Sequence, residues 1–84
     1  MKVFYTDDYH MIKPSLLSVG DIVVQTSSHY PIKIKYRRLI QKTSNFYGYM
    51  WEELSELEII VLTELKVLKS PDVWFLKDGF EFNS

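Results

Sequence analysis

The chain has no cysteine among its 84 residues, which excludes a disulfide scaffold, thiolate-held zinc, an iron–sulfur cluster and a thiol nucleophile together. It has no alanine either, although alanine is among the commonest residues of ordinary proteins. Phe, Tyr, Met, Ile, Asn and Lys, whose codons are rich in A and T, are plentiful instead. The expectation is an A/T-rich coding sequence, such as that of a phage or a low-GC bacterium. Long apolar runs are missing too. The longest, 59–62 and 73–76, fall far short of the roughly 20 residues that cross a bilayer, so no membrane partner is expected. The opening Met1-Lys2-Val3-Phe4-Tyr5-Thr6-Asp7-Asp8 lacks the apolar stretch of a secretory signal, and a cytoplasmic location is expected.

What is present suffices for one core. Apolar residues make up 46%, aromatics 15% and charged residues 25%, a composition that folds rather than stays disordered. At this length a second domain would leave neither half enough chain, so residues 1–84 are read as a single small domain. The net charge of −1 hides a division. Between 22 and 51 the ionised residues are Lys33, Lys35, Arg37, Arg38 and Lys42, all positive; between 52 and 64 they are Glu52, Glu53, Glu56, Glu58 and Glu64, all negative. Such segregation either makes a local field or reflects neighbouring elements that pair their charges.

Residues 2–6 read as a short strand, followed by a loop marked by Asp7, Asp8, Pro14 and Ser15, with Leu16, Leu17 and Val19 available to plug a core. Ile22-Val23-Val24-Gln25-Thr26 is a β-branched strand ending at the polar Ser27-Ser28-His29. From Ile32 onward, Ile34, Tyr36 and Ile40 alternate with Lys33, Lys35, Arg37 and Leu39, and Arg38 is the misfit. After Thr43-Ser44-Asn45, residues 46–51 return as an aromatic strand. Ser55 and Glu58 match a capping box, and Leu54 with Ile59 match a hydrophobic staple, so a helix is expected over about 56–69. Leu57, Ile60, Val61, Leu65 and Leu68 form its expected core face, with Glu64 out of place among them and Lys66 and Lys69 in its last turn. Asp78-Gly79 between apolar runs predicts a final hairpin. The fold class is α+β, a small antiparallel β-sheet with one helix packed on a face. The alternative, if 52–69 is strand, is an all-β SH3-like small barrel.

No catalytic constellation emerges, and no enzyme is expected. His10 and His29 lack metal-ligand spacing, Asp7, Asp8 and His10 offer at best loose ligands, and Ser27-Ser28-His29 reads as a polar turn. Gly20, Gly48 and Gly79 are too scattered for a phosphate-cradling loop, and the glutamates read as a solvated helix start. Neither metal nor cofactor is expected.

The one constellation is the hairpin. With a three-residue loop Thr43-Ser44-Asn45, Arg37 faces Trp51; Ile32, Ile34, Tyr36, Ile40, Phe46 and Met50 form a core face, while Lys33, Lys35, Arg37 and Leu39 lie beside Tyr47, Tyr49 and Trp51. With a two-residue loop Ser44-Asn45 the assignment inverts and those rings join the core. The candidate binding residues are therefore Lys33, Lys35, Arg37, Tyr47, Tyr49 and Trp51. Aromatics and Arg suit a protein interface, and rings among cations suit single-stranded nucleic acid. The primary expectation is a non-catalytic protein–protein interaction protein, a small phage-type inhibitor or modulator that docks on a host protein or on itself as a homodimer. The alternative is a small nucleic-acid-binding β-domain. A small-ligand pocket between sheet and helix is a third reading.

Overall fold

The computed structural model describes residues 1–8, 11–27 and 33–70, with Phe46 described by its backbone alone. Strands β1 (Val3–Thr6), β2 (Ile22–Thr26), β3 (Ile34–Gln41) and β4 (Met50–Glu53) form one sheet in the order β1-β2-β3-β4, followed by helix α1 (Glu56–Glu64). This is a small mixed sheet with one helix, consistent with the α+β class. Helix α1 lies in the segment that the all-β alternative would have made strand. The final hairpin expected around Asp78-Gly79 lies outside the described residues.

The sheet is not wholly antiparallel, a correction to the expected topology. β1 runs parallel to β2, with Val3 opposite Ile22 and Thr6 opposite Gln25, while β2–β3 and β3–β4 are antiparallel. A parallel pair needs a crossover where an antiparallel pair needs only a turn. Residues 7–21 supply it, and they include a 3₁₀ turn at Pro14–Leu16. Asp21 clamps its end. Its carboxylate accepts the Lys2 N–H at 2.9 Å and the Ser18 N–H at 2.8 Å, with the Lys2 ammonium 3.5 Å away. An acid only 2% exposed is tolerable because these donors replace its water. Gly20 beside it takes φ +97°, which β-carbon-bearing residues avoid, and donates its N–H to the Leu39 carbonyl at 2.8 Å.

Both faces of the sheet are covered. On one side Tyr5, Ile22 and Val24 pack with Leu54 and Leu68, joined by Ile34, Tyr36, Ile59 and Leu62. On the other, Phe4, Val23 and Leu39 pack with Ile12 and Leu17 of the crossover, joined by Leu16, Tyr49 and Trp51. Burial on both faces explains why Ile22-Val23-Val24 is apolar without alternation. Each fully buried Leu, Ile or Val contributes on the order of 1.5–3 kcal/mol of apolar burial, so even a core this small holds the sheet. Of the crossover residues expected to plug a core, Leu17 does so at 1% exposure, whereas Val19 is exposed.

Helix α1 starts where the capping signals place it. Ser55 is the N-cap and accepts the Glu58 N–H at 3.2 Å, and both members of the staple, Leu54 and Ile59, join the helix-side cluster. The helix stops at Glu64 rather than Lys69. Lys66 takes the left-handed conformation (φ 62°), its N–H bonds the Thr63 carbonyl at 3.1 Å, and the Val67 N–H bonds the Leu62 carbonyl at 2.9 Å. This is the Schellman arrangement, here with lysine where glycine is usual, and it leaves both expected last-turn lysines beyond the helix. The expected core face is also reversed. Leu57 (71%), Ile60 (54%), Val61 (43%) and Leu65 (66%) are exposed; of that set only Leu68, beyond the helix, is buried. Ile59 and Leu62 make the contact with the sheet instead. The physical reason is that α1 is apolar on both sides, so its own sequence leaves the roll about its axis undetermined.

Candidate functional site

The β3–β4 connection is longer than the three-residue loop expected from Thr43-Ser44-Asn45. It runs from 42 to 49, and Phe46–Gly48 is a 3₁₀ turn rather than the start of a strand. Side chains stabilise the turn locally. The Asn45 side chain accepts the Tyr47 N–H at 3.0 Å, and its carbonyl accepts the Gly48 N–H at 2.8 Å and the Thr43 hydroxyl at 2.6 Å. Any side chain at 48 would place its Cβ 2.6 Å from Thr43 Oγ1, which is why glycine sits there.

The longer connection corrects the register. Arg37 lies opposite Glu53, Arg38 opposite Glu52 and Leu39 opposite Trp51, with a shift between Leu39 and Gln41. Trp51 therefore does not face Arg37. Because the slip is an even number of residues, Lys35, Arg37, Leu39 and Trp51 still share one side of the sheet. That side is the one the crossover covers. Tyr49 and Trp51 are half-buried against the Leu39 cluster, and Tyr47, 86% exposed, belongs to the turn. The Lys42 ammonium stands 5.7 Å from the Tyr49 ring centre and donates to the Leu17 carbonyl at 2.6 Å, tying this connection to the crossover.

The six expected binding residues thus divide into two groups. Lys33, Lys35 and Arg37 gather with Gln25, Thr26 and Ser27 around an open cleft of about 380 Å³. The rings Tyr47, Tyr49 and Trp51 lie toward the other end of β3, and Glu53 stands opposite Arg37 on the way to them. On the side expected to be core, Ile34 and Tyr36 pack against the helix-side cluster, but Ile40 and Met50 are exposed. Ile32 lies outside the described residues.

Arg38, the misfit of the β3 alternation, lies on the helix side. Its Nη1 donates to Glu52 at 2.9 Å and its Nη2 to Glu58 of α1. The Glu58 hydrogen bond is the largest influence on the guanidinium and raises its pKa; burial opposes this, and Glu52 adds to it. Part of the charge division visible in the sequence is therefore internal pairing. Glu53, Glu56 and Glu64 remain exposed.

A second surface emerges that the sequence reading assigned to the interior, the solvent side of α1 with Leu57, Ile60, Val61 and Leu65. The available signal was Glu64, which shares that side and would have been buried without a partner had the side faced inward. Among the described residues no group of three His, Cys, Asp or Glu side chains could hold a metal ion, and no helix is long and apolar enough to cross a membrane. His10 and His29, and so the remainder of the Asp7-Asp8-His10 and Ser27-Ser28-His29 sets, lie outside the described residues. No family model, curated protein or solved structure matches this chain.

Proposed function

We propose that this protein acts without catalysis, by docking the solvent side of α1 on a partner protein, as a small inhibitor or modulator does. The observation that carries the reading is the exposure of Leu57, Ile60, Val61 and Leu65 on one side of a nine-residue helix. Isolated exposed apolar residues are ordinary, but four at helical spacing form the anchor pattern that helices lay into apolar grooves. Charge defines the groove. Glu64 lies within the stripe, Glu56 at its edge and Glu53 just before the helix, all exposed, so the complementary partner is apolar at its centre and bordered by Lys or Arg. A nucleic-acid partner is the weaker reading, because Tyr49 and Trp51 commit ring area to the Leu39 cluster and Glu53 interrupts the path from cations to rings.

The test pairs stability with association. Leu57→Glu and Leu65→Glu each leave thermal stability nearly unchanged, within about 0.5 kcal/mol, whereas Leu68→Ala costs about 2–4 kcal/mol. A partner isolated on the wild-type chain and then purified forms a stoichiometric complex that both Glu variants abolish and that high salt weakens. A complex that survives both variants moves the interface elsewhere, and sedimentation of the chain alone shows whether the partner is a second copy.

A further inference from the structure

We infer that the cleft between β2 and β3 is a binding site for a compact phosphate-bearing anion. It lies on the crossover side of the sheet, the side opposite α1, so it is independent of the docking surface. Its lining among the described residues is Gln25, Thr26, Ser27, Lys33, Lys35 and Arg37, with three cationic side chains and no carboxylate. The sheet assembles it. Lys35 pairs directly with Gln25, and Lys33 is held against Ser27 by two hydrogen bonds of 2.9 Å, one to the Ser27 hydroxyl and one from the Ser27 N–H to the Lys33 carbonyl. Lys33, Lys35 and Arg37 then project from the same side at every second residue, about 6.6–6.8 Å apart along the strand. Thr26, between Gln25 and Ser27, alternates to the helix side and contributes backbone.

The like charges of Lys33 and Lys35, held this close, repel one another, and a multivalent anion relieves both at once. Among the described residues neither the Lys33 nor the Lys35 ammonium has an ion pair. Arg37 completes the lining with a third positive charge, and Gln25, whose amide donates to the Asp7 carbonyl at 3.5 Å, has a second N–H to offer. Among the described residues, β4 ends at Glu53 opposite Arg37, so the edge of β3 away from β2 has no strand beside Lys33 and Lys35. Two observations make the ligand compact. A volume of about 380 Å³ is that of a small-molecule site. In addition, Glu53 beside Arg37 repels a chain of phosphates that would continue along the strand toward Trp51.

Inorganic tripolyphosphate is the probe, titrated into the isotope-labelled chain at about 50 mM salt, where charge contacts are strong. The expected result is saturable amide shifts confined to residues 25–27 and 33–37. Binding weakens about ten-fold or more in Lys33→Ala/Lys35→Ala, while Lys66→Ala on the helix side binds like the wild type. Absence of shifts up to about 10 mM probe, roughly the weakest affinity such a site would show, or equal binding by the double variant, overturns the proposal. A thymidine oligonucleotide supplies the same phosphates on an extended strand. Oligonucleotide affinity that rises with length and exceeds that of tripolyphosphate overturns the compact site in favour of a nucleic-acid track.

Discussion

Arg38 in the third strand and Glu58 in the first turn of the helix, twenty residues apart, are joined by a charge-assisted hydrogen bond from Nη2 to Oε2. Glu58 meets the sheet through this contact, Ile59 and Leu62 pack on the same side, and Leu57, Ile60, Val61 and Leu65 stand in solvent. The residue that breaks the apolar alternation of β3 is thus the one that ties the sheet to the first turn of α1. It also diverts the Glu58 side chain from the reciprocal half of the capping box, of which only the Ser55 half forms.

The Arg38→Ala, Glu58→Ala double-mutant cycle should give a coupling of about 1 kcal/mol, at the upper end for pairs of this kind because the arginine side chain is only 23% exposed. Urea denaturation of the four proteins measures it, and the coupling should shrink as salt rises. A coupling indistinguishable from zero at low salt would mean that hydrophobic contacts alone orient the helix.

Asp21 makes the fold sensitive to acid. Burial is the largest single influence and pushes its pKa up, but the N–H groups of Lys2 and Ser18 and the Lys2 ammonium together outweigh it, so the carboxyl sits below its ordinary value. A group depressed in the folded state stabilises above the unfolded pKa, near 3.9, and loses that contribution as pH falls from there through the folded value. Asp21→Asn should therefore cost about 1–3 kcal/mol at neutral pH and flatten the stability profile below about pH 4. Thermal melts across that range decide the matter, and an acid limb as steep as that of the wild type would assign the transition to other carboxylates.

Lys66 holds a left-handed conformation that its Cβ disfavours, at the end of α1. Lys66→Gly should raise stability by about 0.5–1 kcal/mol, the relief of that strain exceeding the added entropy of glycine in the unfolded chain. Chemical denaturation checks it. A loss of stability would show that the lysine side chain contributes more than its backbone costs.

Local chemistry was enough to place β2 and the start of α1. The β-branched run of β2 between Asp21 and Ser27 delimits that strand to the residue, and Ser55 marks the helix start, because neither depends on distant partners. The position of the cations on one side of β3 was legible for the same reason, since strand alternation is local. The end of the helix was not, because its stop residue is lysine and bears no compositional mark. Nor was the β3–β4 register, which depends on a 3₁₀ turn closed by Asn45 and Thr43 rather than on the shortest loop the turn residues allow.

The sequence by itself determined the strand at 22–26, the start of the helix after Ser55 and which charges share a side of β3, because these follow from backbone propensity, capping and a two-residue period. Tertiary structure alone decided that β1 joins β2 in parallel, that both sides of the sheet are covered, and that α1 presents Leu57, Ile60 and Val61 to solvent. Those outcomes depend on contacts between distant parts of the chain, the apolar clusters on the two sides of the sheet together with the Asp21 bond to Lys2 and the Arg38 pairing with Glu52 and Glu58. A helix apolar on both sides has no preferred roll until something across the chain takes hold of one edge.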